Sequence, residues 1–494
     1  MMRDWTNRPK RSGRGAMRAV LGTGMLAFAA VALTAVTMAA SPDDDLLPSE
    51  QQRLKEAQTT YNGGTKSGSA LNMVAVGQAS LEDRGFNADV FVHKGFAYVG
   101  RWGFFDPSHP AFCPSDGGIA VIDVRNSANP AQVADLRNEG ASVEDVAVYT
   151  ANSGPLAGHD IAAVGVQYCA AFRTSPSADG HRGLDLWDVT NPGDPVWLSH
   201  FDTGCCTRGF HELEIGGQGT RTYVFASLPF AERHESDGVT LRDRQGRGEV
   251  WIVDVTDPRQ PVLVSTFGVR KDLGLDPDRI GQGCFPSTFG HGVDPSEDGK
   301  LLFVSYFDGG FISLDISNPR NPRLLDQFVY AVNEDGDAHS TSYDDVRKLL
   351  FAADEDFCKT GPGIVPGWGY LRIIDASNPR NLVQIGAFKT PHSLGLSDPG
   401  AGDYVIHNPL VVGTDVYISW YTDGVRVVDA SNPTAPVEVA NFVPPAGKQP
   451  IKPSQRNVLT NTTQIWGVVV DPETGLVYGS DMNTGLWILR RTDR

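Results

Sequence analysis

The sequence predicts an all-β fold made of many short strands. Glycine and proline are abundant, with 54 and 32 residues among 494, and no long segment repeats the i, i+3, i+4, i+7 apolar spacing of a core-facing helix. Frequent turn residues in a chain of otherwise ordinary composition are typical of closely spaced strands joined by turns. A third feature, an internal repeat, indicates how those strands are arranged.

One segment recurs six times along the chain. In each copy an apolar strand ends at an aspartate, and a turn rich in Ser, Thr, Asn and Pro follows. The aspartates are Asp123, Asp188, Asp254, Asp315, Asp375 and Asp429. Short polar side chains bond nearby backbone groups and proline fixes φ, so each copy predicts a turn after its aspartate. Because the spacing drifts while the motif is kept, insertions are expected in loops.

Each repeat predicts a blade of four antiparallel strands. Two more strands precede the motif, as in residues 89–100, and one follows it. A second proline stands at the start of that last strand in four copies: Pro195, Pro261, Pro322 and Pro436. Proline lacks the backbone donor that a central strand needs, so this strand is expected at the outer edge of its sheet. Such units are the blades of a β-propeller.

The last copy, residues 465–491, supplies only three strands. Residues 71–81 resemble the outer strand of a repeat, such as residues 261–269. Pairing the first strand with the last would remove an open sheet edge and close the ring. Six complete units and this composite one predict a seven-bladed β-propeller over residues 71–494, with its last blade closed by an N-terminal strand.

The repeat, written for example as GGFISLDISNPRNP and GYLRIIDASNPRNL, resembles the LVIVD repeat of bacterial and archaeal cell-surface propellers. The resemblance covers residues 71–494. It implies residence at the cell surface or in the periplasm. It implies no single activity, because that family has none and a fold alone does not define a function.

The N-terminus predicts export. Residues 1–18 carry six basic residues against one acidic residue, and residues 19–40 are uncharged and mostly apolar. We expect residues 1–40 to be a signal peptide or, because the run is long enough to span a bilayer, an N-terminal membrane anchor. Residues 41–70 are expected to be a flexible linker. The protein would then be periplasmic, cell-surface or secreted.

Charge and cysteines fit that compartment. The net charge of −17 argues against nucleic acid as a partner, and against membrane contact other than through the possible N-terminal anchor. Six cysteines in an exported chain permit disulfides, although spacing leaves fifteen pairings open. The preferred pairs join neighbouring blades: Cys284 with Cys358, and Cys113 with Cys169.

A ring of histidines is the main candidate site. Alignment of the inner strands places His211, His291, His339 and His407 at one position of blades three to six, and Glu144 at that position in blade two. Blade one has Ala88 there, and blade seven has Gly467 or Val468. These positions should converge at one mouth of the central channel. Four neutral imidazoles suit iron, copper or zinc, with Glu144 as a fifth ligand or outer acceptor.

Two interpretations of the ring remain open. Carotenoid-cleaving oxygenases and selenium-binding proteins, similar in geometry alone, hold metals through axial histidines. Polar residues at a channel mouth can instead simply hold water. The acidic run 354–356 is interpreted as a solvated loop, because the spacing of an EF-hand is absent.

Three functions follow. The first is an exported binding module whose loop-rich face and channel mouth engage a protein, a glycan or a small-molecule ligand. The alternative is a metal-dependent oxidoreductase that uses the four histidines. The third is a calcium-dependent hydrolase, which only scattered acidic residues support. The sequence contains no nucleophile elbow, phosphate loop or HExxH motif.

Overall fold

The computed structural model is a ring of seven β-sheets around a central axis. It describes residues 69–83, 86–102, 117–138, 141–168, 181–204, 208–229, 231, 248–276, 288–331, 333–357, 367–394, 402–447 and 462–494. Each sheet contributes four antiparallel strands to the ring, which confirms the predicted all-β, seven-bladed propeller. The predicted signal or anchor at residues 1–40 lies outside the described residues, as do all six cysteines, so the proposed disulfides stay predictions.

Blades one to three are formed by consecutive strands, each blade running from the axis outwards. Blade two has an extra short strand, β7 (Ala141–Ser142), beside β9 (Asp160–Tyr168). The strands of these blades are β3 (Asn87–His93), β4 (Phe96–Arg101), β5 (Gly118–Asp123) and β6 (Ala131–Arg137); β7 (Ala141–Ser142), β8 (Val146–Thr150), β9 (Asp160–Tyr168), β10 (Gly183–Asp188) and β11 (Val196–Asp202); and β12 (Leu213–Gln218), β13 (Arg221–Ser227), β14 (Val250–Asp254) and β15 (Val262–Phe267). A single helical turn, α1 (Val269–Leu273), follows blade three.

Blades four to six repeat this order. Their strands are β16 (Val293–Pro295), β17 (Leu301–Ser305), β18 (Phe311–Asp315) and β19 (Arg323–Phe328); β20 (Ala338–Asp344), β21 (Leu349–Asp354), β22 (Leu371–Asp375) and β23 (Val383–Phe388); and β24 (Pro409–Val412), β25 (Asp415–Trp420), β26 (Gly424–Asp429) and β27 (Val437–Phe442). The innermost strand of every blade contacts the innermost strand of the next one, so the seven inner strands enclose the axis.

Blade seven is the composite blade that the sequence predicts. It contains β28 (Ile465–Val470), β29 (Val477–Asp481), β30 (Gly485–Arg491) and the N-terminal strand β2 (Met73–Ala79). β2 pairs antiparallel with β30, from Met73 opposite Arg491 to Ala79 opposite Leu486. The preceding short strand, β1 (Ala70–Leu71), pairs with β27 of blade six. The N-terminal segment therefore closes the ring and also contacts the neighbouring blade.

The repeated aspartate has the same local role in six blades. Its side chain accepts a hydrogen bond from the backbone N–H two residues later, as from Thr256 to Asp254 (3.0 Å) and from Ser377 to Asp375 (2.9 Å). This bond forms the turn that leads to the outer strand. Pro195 and Pro261 come immediately before β11 and β15, which are outer edges, as their missing N–H groups require.

The core lies between blades. Seven of the eight hydrophobic clusters among the described residues join two neighbouring blades. Fully buried side chains such as Phe225 and Phe303 each contribute about 1.5–3 kcal/mol of stability through burial. The eighth cluster is aromatic and includes Trp368, Tyr421 and Trp466. Within the described part of the chain, no helix is long and apolar enough to cross a membrane.

Candidate functional site

The four histidines stand at the entrance of four successive inner strands. His211, His291 and His407 each lie two residues before their strand, and His339 is the second residue of β20. Three of them are held by the same backbone hydrogen bond, donated to a serine near the end of the second strand. These bonds join His211 to Ser227 (3.1 Å), His291 to Ser305 (2.9 Å) and His407 to Ser419 (2.9 Å). The repeat therefore fixes the register that brings the side chains to one level.

The structure brings all four imidazoles together on the axis. The ring centroids are 4.4 Å apart for His211 and His291, 4.0 Å for His291 and His339, and 4.2 Å for His339 and His407. The Nε2 atoms of His211 and His291 are 2.8 Å apart. All four residues are buried, with exposed fractions between 0% and 8%. The predicted convergence is thus present as a compact, enclosed cluster.

The hydrogen bonds of His407 define its tautomer. Its Nδ1 lies 2.7 Å from the carbonyl oxygen of Trp466. A carbonyl only accepts, so Nδ1 carries the proton and Nε2 keeps a free lone pair. That Nε2 is buried and has no hydrogen-bond partner in the part of the chain that the structure describes. A buried acceptor of this kind costs free energy unless a ligand satisfies it.

His211 is oriented in the same way. Its Nδ1 contacts a carboxylate oxygen of Glu144 and lies 3.2 Å from the side-chain oxygen of Gln167. The side-chain oxygen of Gln167 only accepts, so Nδ1–H donates to it and the lone pair of Nε2 points towards His291. Outer acceptors that hold the second nitrogen of an imidazole are characteristic of histidines that bind metals.

Three glutamates surround the imidazoles. Besides Glu144, Glu212 places Oε1 3.5 Å from Nδ1 of His291 and 3.6 Å from Nε2 of His339. Glu355 places Oε2 3.6 Å from Nε2 of His339 and Oε1 4.0 Å from Nε2 of His407. Two sets of three ligand atoms here lie close enough to share an ion: Glu212, His291 and His339, and His339, Glu355 and His407.

Burial determines the protonation of the histidines. It lowers the pKa of His291 to about 4. Burial, with the neighbouring imidazoles adding to it, lowers the pKa of His211, His339 and His407 well below the ordinary value. The four rings are therefore neutral at physiological pH, which is the form that donates a lone pair to a metal.

The carboxyl groups are affected in the opposite direction. Burial, and secondarily the charge of Glu212, raises the pKa of Glu144 well above its usual range. Burial also raises the pKa of Glu212 well above its usual range, and Asp89 adds to the effect. Several acidic groups thus share one low-dielectric cavity, where a nearby cation would favour their ionised forms.

An aromatic wall closes one side of the ring. The ring centroid of Trp466 is 4.6 Å from that of His407, and its indole Nε1 donates a 3.1 Å hydrogen bond to Glu144. The ring of Tyr421 lies 5.2 Å from His407, and its hydroxyl donates to Glu355. These side chains exclude water from the His407 side and connect the outer carboxylates to the protein framework.

Sequence reasoning named His211, His291, His339, His407 and Glu144, and all five meet at this site. Glu212 and Glu355 were missed. The interpretation of residues 354–356 as a solvated loop is wrong for two members: Asp354 is buried and ion-paired with Arg372, and Glu355 faces the histidines. Tyr421 carries no signal in a linear pattern. Trp466 holds the blade-seven position of the ring, so the predicted Gly467 or Val468 at that position is wrong by one or two residues.

Comparison with known proteins agrees with the architecture. The LVIVD repeat model matches residues 296–329, 364–390 and 410–443, which fall in blades four, five and six. No curated protein matches the chain in sequence. Two solved structures match the chain at low similarity. The β-propeller domain of Myceliophteria thermophila Cps50 (Swd1) has 12% identity and a TM-score of 0.46, over 82% of this chain and 97% of that one.

The second structure, Saccharomyces cerevisiae Sqt1, has 10% identity and a TM-score of 0.45, over 80% of each chain. The matched repeats contain the motif aspartates Asp315, Asp375 and Asp429, which form the turns described above. The chain is a seven-bladed β-propeller that contains LVIVD repeats in blades four, five and six.

Proposed function

We propose that the protein is an exported propeller that binds one transition-metal ion on its channel axis and uses this centre, with the surrounding loops, to bind a ligand. The observation that carries the proposal is the lone pair on Nε2 of His407. This nitrogen is buried, the Trp466 carbonyl fixes the tautomer of its ring, and none of the described residues gives it a hydrogen bond. Three more neutral imidazoles stand beside it.

The donor set fits iron, copper or zinc. His211, His291, His339 and His407 would supply nitrogen donors, which these metals accept readily. Glu144 contacts the Nδ1 of His211 rather than the centre of the cluster, so we assign it to the outer shell. Together with Glu212 and Glu355 it would balance the charge of the ion and orient the imidazoles.

The sequence supports export and a ligand outside the nucleic acids. The basic, then apolar N-terminus is typical of an exported chain, and the strongly acidic net charge disfavours polyanions. The ligand would be a protein, a glycan or a small molecule that meets the channel mouth. On a rigid scaffold of this kind, the loops at one face carry binding function.

A metal-dependent oxidoreductase is the second candidate. The aromatic wall favours it, because Trp466 and Tyr421 shield the His407 side from water and bind the outer carboxylates Glu144 and Glu355. An iron or copper ion would supply redox chemistry. The chain's own residues would position the ion, exclude water and hold protons on the carboxyl groups.

Metal analysis tests the proposal. We expect full-length protein purified without chelators to carry one equivalent of a transition metal that depends on the axial histidines, measured by inductively coupled plasma mass spectrometry. His291→Ala and His339→Ala should each reduce this occupancy at least about tenfold, because each removes one nitrogen donor. His159→Ala is the matched control, since His159 bonds Asp188 on blade two and belongs to neither metal-competent set of the ring.

Circular dichroism must show that the variants remain folded, and His339→Gln serves where the alanine variant does not fold. A wild-type protein without metal after incubation with iron, copper and zinc would overturn the proposal. So would folded variants that keep full occupancy. Reversible spectral changes with ascorbate and ferricyanide would support the oxidoreductase. A centre that binds zinc alone would instead support the binding module.

A further inference from the structure

A second cluster of imidazoles lies on blade two, and none of its residues belongs to the axial ring. Asp185 is the third residue of β10, and His200 is directly opposite it on β11. His181 lies two residues before β10. From the sequence, His181 is expected to be a solvated loop residue, but the structure shows it in contact with Asp185.

Two imidazoles converge on one carboxylate oxygen. Oδ1 of Asp185 is 2.7 Å from Nδ1 of His200 and 3.3 Å from Nε2 of His181. The two imidazole rings stack, with centroids 3.9 Å apart and planes at 28°. The three ligand atoms all lie within 4.8 Å of one another. An ion about 2.0–2.2 Å from nitrogen and oxygen ligands holds them at separations of this size.

The carboxylate of Asp185 is held in place from a neighbouring blade. Its second oxygen, Oδ2, accepts a 2.5 Å hydrogen bond from Nδ2 of Asn138, which follows the outer strand of blade one. Asp185 and Asn138 are both buried. An outer group that fixes the direction of a ligating carboxylate is a regular part of metal sites.

The repeat itself does not require these histidines. The pair of positions held by Asp185 on β10 and His200 on β11 is filled differently in other blades: Ala120 faces Asp135 in blade one, Ile312 faces Gln327 in blade four, and Arg426 faces Asn441 in blade six. Blade two alone among these combines an aspartate, a cross-strand histidine and a second histidine. The cluster is therefore a local addition to the blade.

We propose that His181, His200 and Asp185 bind a zinc ion, with solvent completing its coordination. Two imidazole nitrogens and one carboxylate oxygen form a ligand set that zinc accepts. The side chain of His181 is 42% exposed, which leaves the site open to water, while that of Asp185 is 3% exposed and anchors it. The ion would tie the residues before β10 to the outer strand of the same blade.

Zinc titration of the full-length protein tests the site. We expect wild-type protein to bind one more equivalent of Zn²⁺ than His181→Ala or His200→Ala, measured by equilibrium dialysis after EDTA treatment. His159→Ala is the control: His159 Nδ1 makes a 2.7 Å bond to Asp188 on the same blade, but no third ligand atom from the described residues joins that pair. This variant should keep the wild-type stoichiometry.

The axial ring is separated from this site by combining variants. In a His291→Ala background, one equivalent of Zn²⁺ should still bind, and adding His181→Ala should remove it. Because the side chain of His181 is partly exposed, its replacement should leave the fold intact by circular dichroism. If folded His181→Ala and His200→Ala proteins both bind as much zinc as wild type, His181 and His200 only hydrogen-bond to Asp185 and the zinc site is wrong.

Discussion

The two sides of the channel mouth are built differently. In blades three to six the entrance of the inner strand carries histidine, and the four side chains fill the space at the axis. In blade one the corresponding residue is Ala88, and in blade seven it is Trp466 rather than the predicted Gly467 or Val468, because Gly467 pairs with Ser480 as Ser340, which follows His339, pairs with Ala353. A Cβ at Gly467 would lie 2.0 Å from Oδ1 and 2.9 Å from Cα of Asp89. The backbones of blades seven and one approach each other one residue after this position, so Gly467 could not carry a side chain.

This asymmetry shows where the metal-binding set ends. The histidines form an arc rather than a closed ring, and Glu144 and Trp466 flank its two ends. These two residues are joined by the indole hydrogen bond to the carboxylate. In contrast, the outer halves of the blades are nearly uniform, because the same aspartate turn recurs in six of them. The repeat thus specifies the scaffold, and departures from it specify the site.

The largest expected effect comes from opening the ring at blade seven. A chain that begins at Gly85 lacks β1 and β2, so β30 loses its partner and becomes an exposed edge. We expect a loss of stability comparable with a whole domain's free energy of unfolding, about 5–15 kcal/mol, and aggregation. A chain that begins at Ser67 should unfold like the full-length protein. Equal thermal midpoints for the two chains would show that β2 is dispensable.

The close approach of blades seven and one gives the second prediction. Gly467→Ala should destabilise the protein by about 2–3 kcal/mol, since its Cβ would overlap Asp89 and neither backbone can yield freely. Gly217→Ala on β12 is the control, because its nearest contact would be 3.4 Å from the Cβ. It should change stability by less than about 0.5 kcal/mol. Urea unfolding of both variants measures the difference, and similar midpoints would mean that the two inner strands can separate.

The parts that the sequence predicted are those encoded in repeated patterns. Asp254 and Asp375 predict the turns that follow them, and Pro261 predicts a strand at the outer edge. The aligned histidines predict that their side chains converge. Glu212 was not predicted as a site residue because it follows His211 directly, and the alternation of side chains in a strand would turn it away from the axis. The regular strand begins only at Leu213, so the rule does not apply one residue earlier.

Other contacts depend on how separate blades meet. Glu355 belongs to an acidic run that resembles a solvated loop in composition, yet it accepts from Tyr421 of blade six and faces His339. In the sequence, His181 resembles a surface residue. In the fold, β11 places His200 beside it. No local pattern encodes either pairing, because each requires the tertiary arrangement of strands and loops.

The outer carboxylates offer the finest test of the arc. Glu212 lies within 3.6 Å of nitrogens on both His291 and His339, so Glu212→Gln should weaken metal binding about 10- to 100-fold while leaving all four nitrogen donors in place. Glu214 is its control: two residues further along the same inner segment, it is exposed and makes no ion pair with a histidine of the ring. Glu214→Gln should leave the affinity within about threefold of wild type, a difference of less than about 1 kcal/mol.

Competition with a fluorescent chelator measures the metal affinities of both variants. Equal losses in the two variants would mean that general channel charge, rather than direct support of His291 and His339, controls the affinity. Unchanged affinity in Glu212→Gln would show that the outer carboxylate does not contribute to metal binding. The imidazoles alone would then determine the affinity.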